Sequence, residues 1–350
     1  VSVGGAAAAA SLHVAAANSA RALGMIAEAD LQLAWRVAER PGALASLVAA
    51  VAAGGTAAVA SLQAVAANSA EALGLIAEAD PELARRVAGV PGALATLVAA
   101  VAAGSAAPVP LLEDVARFST TVLLVIANAN RGLAQRVAEE PGALAALMAI
   151  VAAGGAAAAR GSQFAAAHGA EALAVIATAD PEPPRRLAEV PGALPTLVAS
   201  IAMGGAAASP SLQDVARCSA DVLSAIAAAD PGLARRVAGV PGALATLVAA
   251  VAAGGAAAAP SLQTAAANSA RALAVISNPE PELARQVAQV PGAPATLLAA
   301  VAAGGAAAAP SLQVAAANCA AALGAIAGAD PMLARQVAQV QGGLATLVAA

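Results

Sequence analysis

The sequence predicts an all-α chain built as a solenoid of stacked helical repeats, and three observations carry that prediction. Written in blocks of fifty, the 350 residues align with themselves seven times without insertion or deletion. Apolar residues recur at helical spacing, and nothing alternates with the period of two that marks a strand. Helix starts of the Asp-Pro type and glycine-rich stops return at the same block positions.

The first helix of each unit is short. Asp80 is placed to cap it and Pro81 to occupy its first position, where a missing N–H costs nothing. Leu83 and Val87 lie one turn apart, and Gly89, Pro91 and Gly92 end the helix. The same start is read at Asp180-Pro181, Asp230-Pro231 and Asp330-Pro331. The second helix carries Leu94, Leu97, Val98 and Val101, an i, i+3, i+4, i+7 stripe, and Gly104 is expected to stop it. The third begins near Ser61 and runs to about Glu78. On a helical wheel Leu62, Ala66, Ser69, Leu73 and Ile76 gather on one side, which makes them its core stripe.

Self-similarity is close in places. ADPELARRVAGV at 79–90 returns as ADPGLARRVAGV at 229–240, and SLQAVAANSAEALGLI at 61–76 as SLQTAAANSARALAVI at 261–276. The segments 105–130 and 156–186 have drifted most, as expected of a natural array. A unit holds about nine large apolar side chains, too few to offset the ordering of fifty residues alone, so neighbours must share a core. The expected organisation is one array over 1–350. Its full units are 30–79, 80–129, 130–179, 180–229, 230–279 and 280–329, with a split unit made of 1–29 and 330–350. Both ends are expected to be open, as in a fragment of a longer array or a chain whose ends associate.

Composition narrows the function classes. Alanine makes up about a third of the chain, Tyr is absent and all 17 cationic residues are Arg. Biased coding accounts for that pattern, so the missing residue types are not read as functional. The formal net charge of −4 recommends neither nucleic acid nor an anionic surface. Mean hydropathy is +0.79 and residues 286–329 carry no formal charge. Breakers at Pro291, Pro294, Gly304, Gly305 and Pro310 are expected to interrupt any span before the ~20 apolar residues a membrane needs. Cys218 and Cys319 are far apart, which excludes a disulfide framework or a cysteine zinc site.

With these elements in place, the unit resembles the armadillo repeat. PELARRVAGVPGALATLVAAV at 81–101 resembles that family's short first helix, its glycine-marked bend and its second helix, and EALGLIAEAD at 71–80 the end of its long third helix. The two-helix HEAT repeat is the near alternative but lacks the bend. The resemblance spans the whole chain and implies a right-handed α-α superhelix. Its third helices would line a concave groove that binds an extended peptide or partner protein inside the cell. Beta-catenin-like and importin-alpha-like members hold peptide backbones with groove asparagines, and tryptophans lie one turn before them. At those places this chain has Met25, Leu75, Val125, Val175, Ala225, Val275 and Ala325, and Arg21, Glu71, Thr121, Glu171, Asp221, Arg271 and Ala321. Recognition of nuclear-localisation signals is therefore not carried over.

Candidate site residues lie on the third helix away from its core stripe. Eighteenth in each block stand Asn18, Asn68, Phe118, His168, Cys218, Asn268 and Asn318. Asparagine both donates and accepts, so such a row suits a peptide backbone; it equally suits bonding a neighbouring helix. Met25, Leu75, Val125 and Val175 form an apolar row, either an interaction patch or packing against the next helix. Asp114, Arg117, Phe118, Phe164, His168, Asp214, Arg217 and Cys218 break an otherwise bland surface, and arginine and aromatics favour interfaces. Arginines at 85, 86, 185, 186, 235 and 236 suit an acidic partner or phosphate, or ordinary pairing with Glu82 and Glu182. His13 and His168 have no ligand set around them, and no phosphate loop is present. The expected function is thus a non-enzymatic protein-binding scaffold without cofactor or metal. The alternative is a structural rod that self-associates end to end.

Overall fold

The computed structural model describes residues 3–55, 57, 59–106, 109–156, 160–205 and 208–349. The described residues are helical, with no strand among them. The chain divides at Asp180 into two compact units.

The N-terminal unit opens with α1 (Val3–Ala29) and continues with three triplets of a short, a medium and a long helix. These are α2 (Leu31–Glu39), α3 (Ala43–Gly54) and α4 (Ala60–Ala79); α5 (Pro81–Gly89), α6 (Ala93–Ala106) and α7 (Pro110–Ala129); α8 (Arg131–Glu139), α9 (Ala143–Ala156) and α10 (Arg160–Ala179). The C-terminal unit holds three more triplets and a final pair. They are α11 (Glu182–Glu189), α12 (Ala193–Met203) and α13 (Pro210–Ala229); α14 (Pro231–Ala238), α15 (Ala243–Ala253) and α16 (Pro260–Ser277); α17 (Pro281–Gln289), α18 (Ala293–Ala303) and α19 (Pro310–Ala329); then α20 (Pro331–Gln339) and α21 (Gly343–Ala349).

Capping chemistry starts the short helices. The Asp80 carboxylate accepts from the Glu82 N–H at 2.7 Å, Asp230 from Gly232 at 2.6 Å and Asp330 from Met332 at 2.7 Å. The expected start at Asp180-Pro181 shifts by one residue: Pro181 precedes α11, which begins at Glu182. The bend to the medium helix is sharp, 88° between α5 and α6 and 84° between α14 and α15. Glycine makes it possible. Gly42, Gly92, Gly142, Gly192, Gly242, Gly292 and Gly342 all have φ between +73° and +79°, a conformation other residues avoid.

Gly104 does not stop its helix, contrary to the expectation; α6 continues to Ala106. The residue serves packing instead. A methyl at Gly104 would overlap the Leu112 carbonyl oxygen and the Ala116 side chain, and Gly54, Gly154, Gly204, Gly254 and Gly304 are crowded in the same way. The medium helix thus crosses the following long helix almost backbone to backbone.

Long helices pack side by side. In the N-terminal unit α4 lies between α1 and α7, and α7 between α4 and α10, each covered on its inner side by its own medium helix. In the C-terminal unit α13, α16 and α19 follow the same order. Ala66, Ser69, Leu73 and Ile76 are buried as the wheel requires, while Leu62 is half-buried. The hydroxyls of Ser69, Ser119, Ser219 and Ser269 are enclosed without a hydrogen-bond partner among the described residues. Gly169 and Cys319 stand at the equivalent place, where the neighbouring helix admits only a small side chain.

Candidate functional site

The outward side of the long helices is the most varied surface of the N-terminal unit. Leu75, Val125 and Val175 are half-buried, one on each of α4, α7 and α10, and Met25 on α1 is exposed. Leu75 leans on α1 beside Gly24, and the three half-buried residues each keep part of their side chain in water.

Polar and aromatic residues cluster beside this row. The Asp114 carboxylate holds the Arg117 guanidinium at 3.0 Å, and that guanidinium lies over the Phe118 ring at 3.9 Å. On α10 the Phe164 and His168 rings stand 4.3 Å apart, tilted by 54°. A bond of 2.8 Å between Thr121 Oγ1 and His168 Nδ1 joins the two helices. Thr121 Oγ1 also donates to the Arg117 carbonyl at 3.1 Å. One hydroxyl has one proton, so Nδ1–H of His168 donates to Thr121 and leaves Nε2 as an acceptor. Burial holds the His168 pKa below 6.5, opposed by Glu171, reinforced by Arg117 and opposed again by Glu78. The imidazole is accordingly neutral at pH 7. Phe164 remains 44% exposed. The structure thus brings Arg117, Phe118, Phe164 and His168 into one patch with Asp114 and Thr121.

The asparagines bond the neighbouring helix. Asn68 Nδ2 donates to the Ala17 carbonyl at 3.0 Å, Asn268 to Arg217 at 3.1 Å and Asn318 to Ala267 at 3.2 Å. Each amide spends one N–H this way. Asn18, on α1, is exposed.

In the C-terminal unit Arg217 is near Asp214 at 3.6 Å. Cys218 differs from the rest of its row, being buried at 1% exposure. Sequence reasoning missed the ion pair between Arg271 and Asp221, which Ser224 extends by accepting from Arg271 Nε at 2.8 Å. Its signal was present: opposite charges fifty residues apart at one helix position.

Several short-helix arginines are paired within the protein. Arg85 pairs with Glu82 at 2.6 Å, Arg185 with Glu182 at 3.6 Å and Arg235 with Glu280 at 2.6 Å. Arg86 lies over the Trp35 ring at 4.5 Å, while Arg136 and Arg236 donate to the carbonyls of Ala88 and Ala188. These bonds satisfy carbonyls left open at the end of the preceding short helix.

Burial pushes the Cys319 thiol up to about 12. Among the described residues no group of three or more His, Cys, Asp or Glu is placed to hold a metal ion. Among the described residues one single helix, α19, is long and apolar enough by length and composition to cross a membrane. The expectation that breakers would interrupt every such stretch is corrected there, because Pro310 occupies the first helical position, where proline is tolerated. Its Ala315, Cys319, Leu323 and Ile326 are buried in the packing of the C-terminal unit. Compared with known families and with curated proteins, the chain matches no family model and no curated protein.

Proposed function

We propose that the chain is an armadillo-like α-solenoid of 50-residue triplets, wound as a right-handed superhelix, and a non-enzymatic scaffold. It binds an extended segment of another protein along the long helices of the N-terminal unit. The observation that carries this reading is the half-exposed apolar row Leu75, Val125 and Val175, flanked by Asn68, Phe118, Phe164 and His168. Asn68 keeps a second N–H and its Oδ1 for a peptide backbone, and Nε2 of neutral His168 adds an acceptor. Packed helices repeat at ~8–10 Å and an extended chain rises ~3.3 Å per residue. The ligand would therefore present an apolar side chain about every third residue.

The test is selection from a displayed random-peptide library on the purified chain, with the Leu75→Arg, Val125→Arg, Val175→Arg variant of equal helicity as counter-target. The reading expects enriched sequences with that apolar spacing which the variant does not retain. Enrichment of the same sequences by both proteins, or no enrichment, would overturn it.

A further inference from the structure

We propose that the patch on α7 and α10 takes an arginine side chain of the ligand, its guanidinium lying on the Phe164 ring and donating to His168 Nε2. This deepens the peptide-binding reading above and rests on it for the chain that carries the arginine. The sequence has one Trp and two Phe, and two of these three rings already carry an arginine. Arg86 lies over Trp35 at 4.5 Å and Arg117 over Phe118 at 3.9 Å. Phe164 has no guanidinium over it among the described residues and is 44% exposed.

Three groups around that ring lack what a guanidinium supplies. His168, whose ring stands 4.3 Å from Phe164, spends Nδ1–H on Thr121 and leaves Nε2 an acceptor with no partner among the described residues. Glu171, three residues further along α10, is half-buried, and Glu78 on α4 is exposed; neither has an ion pair or hydrogen bond among the described residues. Both carboxylates act on His168, so both lie within electrostatic reach of the site. Arg117 acts on it too, but Asp114 holds that cation at 3.0 Å, and Glu113 accepts from Ser162 at 3.3 Å. Of the other helices packed on α10, α9 carries no titratable side chain, and α8 turns Arg131 to Asp180 and Arg136 to the Ala88 carbonyl. Neither Glu139 at the end of α8 nor the exposed Arg160 at the start of α10 acts on the imidazole.

The C-terminal unit completes the same recognition from within. Asp221 on α13 holds the Arg271 guanidinium of α16, and Ser224 accepts from its Nε at 2.8 Å. Glu171 occupies the block position of Asp221, with His168 Nε2 as the neutral acceptor one turn away. A planar guanidinium lies flat on an aromatic ring while its N–H groups reach outward in a fork, here to Nε2 and Glu171. An ammonium is a compact, strongly hydrated charge that does not bridge in this way. Because a guanidinium only donates, it requires neutral His168. A proton on Nε2 removes the acceptor and adds a like charge.

Nuclear magnetic resonance of the full chain, isotopically labelled at its histidine ring nitrogens, tests this with Nα-acetylargininamide as the probe. The chain has two histidines, so His13 serves as the internal control. The His168 Nε2 resonance moves saturably as the probe reaches roughly millimolar concentration, while His13 stays in place. The citrulline analogue, which keeps the shape and loses the charge, binds at least about fivefold more weakly. Phe164→Ala and Glu171→Gln each weaken binding about three- to fivefold. Neither side chain belongs to the core, so far-UV dichroism of both variants matches the wild type. Bound probe lowers the His168 pKa, and affinity falls as pH drops through it. No saturable movement of His168, equal movement of His13, equal binding of the citrulline analogue, or affinity that rises as pH falls overturns the proposal. The probe has no apolar side chain for the row, so the two readings fail separately. Probe binding with an empty library selection keeps this subsite and discards the row. Enriched peptides that bind Phe164→Ala and Glu171→Gln as tightly as the wild type keep the row and overturn the subsite.

Discussion

Raising the pH from 9 to 12 will destabilise the C-terminal unit through one thiol, and this sequence isolates the effect. With no Lys and no Tyr in the chain, an unfolded cysteine thiol is the side chain that loses its proton in that window, and comparison with Cys319→Ala isolates the contribution of Cys319. Cys319 is fully buried on α19, at the place four other triplets fill with serine and one with glycine, and burial raises its pKa from 9.0 to about 12. Between those values the unfolded chain has lost the thiol proton and the folded chain has kept it. The unfolded state binds fewer protons, so unfolding free energy falls as pH rises. Three pH units at about 1.4 kcal/mol each amount to about 4 kcal/mol. Urea melts followed by far-UV dichroism across the window measure it, with Cys319→Ala as reference. The difference between the two proteins should be constant below pH 9 and shrink by that amount toward pH 12. Parallel curves throughout would refute the reasoning, since they would mean the thiol ionises as readily folded as unfolded.

Other perturbations have definite signs. Ser69→Ala and Ser119→Ala remove enclosed hydroxyls that lack a partner among the described residues, and should each raise stability in urea melts by about 1 kcal/mol. Gly104→Ala should lower it by about 1–3 kcal/mol, because the methyl meets the Leu112 carbonyl and the Ala116 side chain. Gly89→Ala, with nothing within 4 Å of the new methyl, should stabilise α5 by about 0.5–1 kcal/mol. Because the folded His168 pKa lies below 6.5, the unfolded state takes up the proton first as pH falls through 6.5. Stability should therefore drop below that pH, and His168→Gln should remove this component of the pH profile in the same melts.

Much of the fold was legible because local chemistry decides it. The third helix read as Ser61 to Glu78 spans Ala60–Ala79, and the cap at Asp80 with Pro81 is as the sequence implied. These features depend on neighbours in sequence. Gly104 was misread because glycine that ends a helix and glycine that admits a close helix look alike without the partner, here Leu112 and Ala116. The site was legible only as a surface. Periodicity placed Asn68, Phe118 and His168 away from the core stripe, but could not say that Asn68 reaches Ala17 or that Thr121 ties His168 to α7. Nor could it separate Cys218 from its row, since its burial depends on how tightly the long helices approach.

The central claim is that the outward row of α1, α4, α7 and α10 is a peptide-binding surface. Carbene footprinting of the full chain, with and without a peptide enriched by the library selection, tests it most directly. The account predicts protection at Met25, Leu75, Val125, Val175 and Phe164, with Met332 and Val348 labelled as before. Unchanged labelling along that row, or protection confined to the short helices or the end faces, would contradict it.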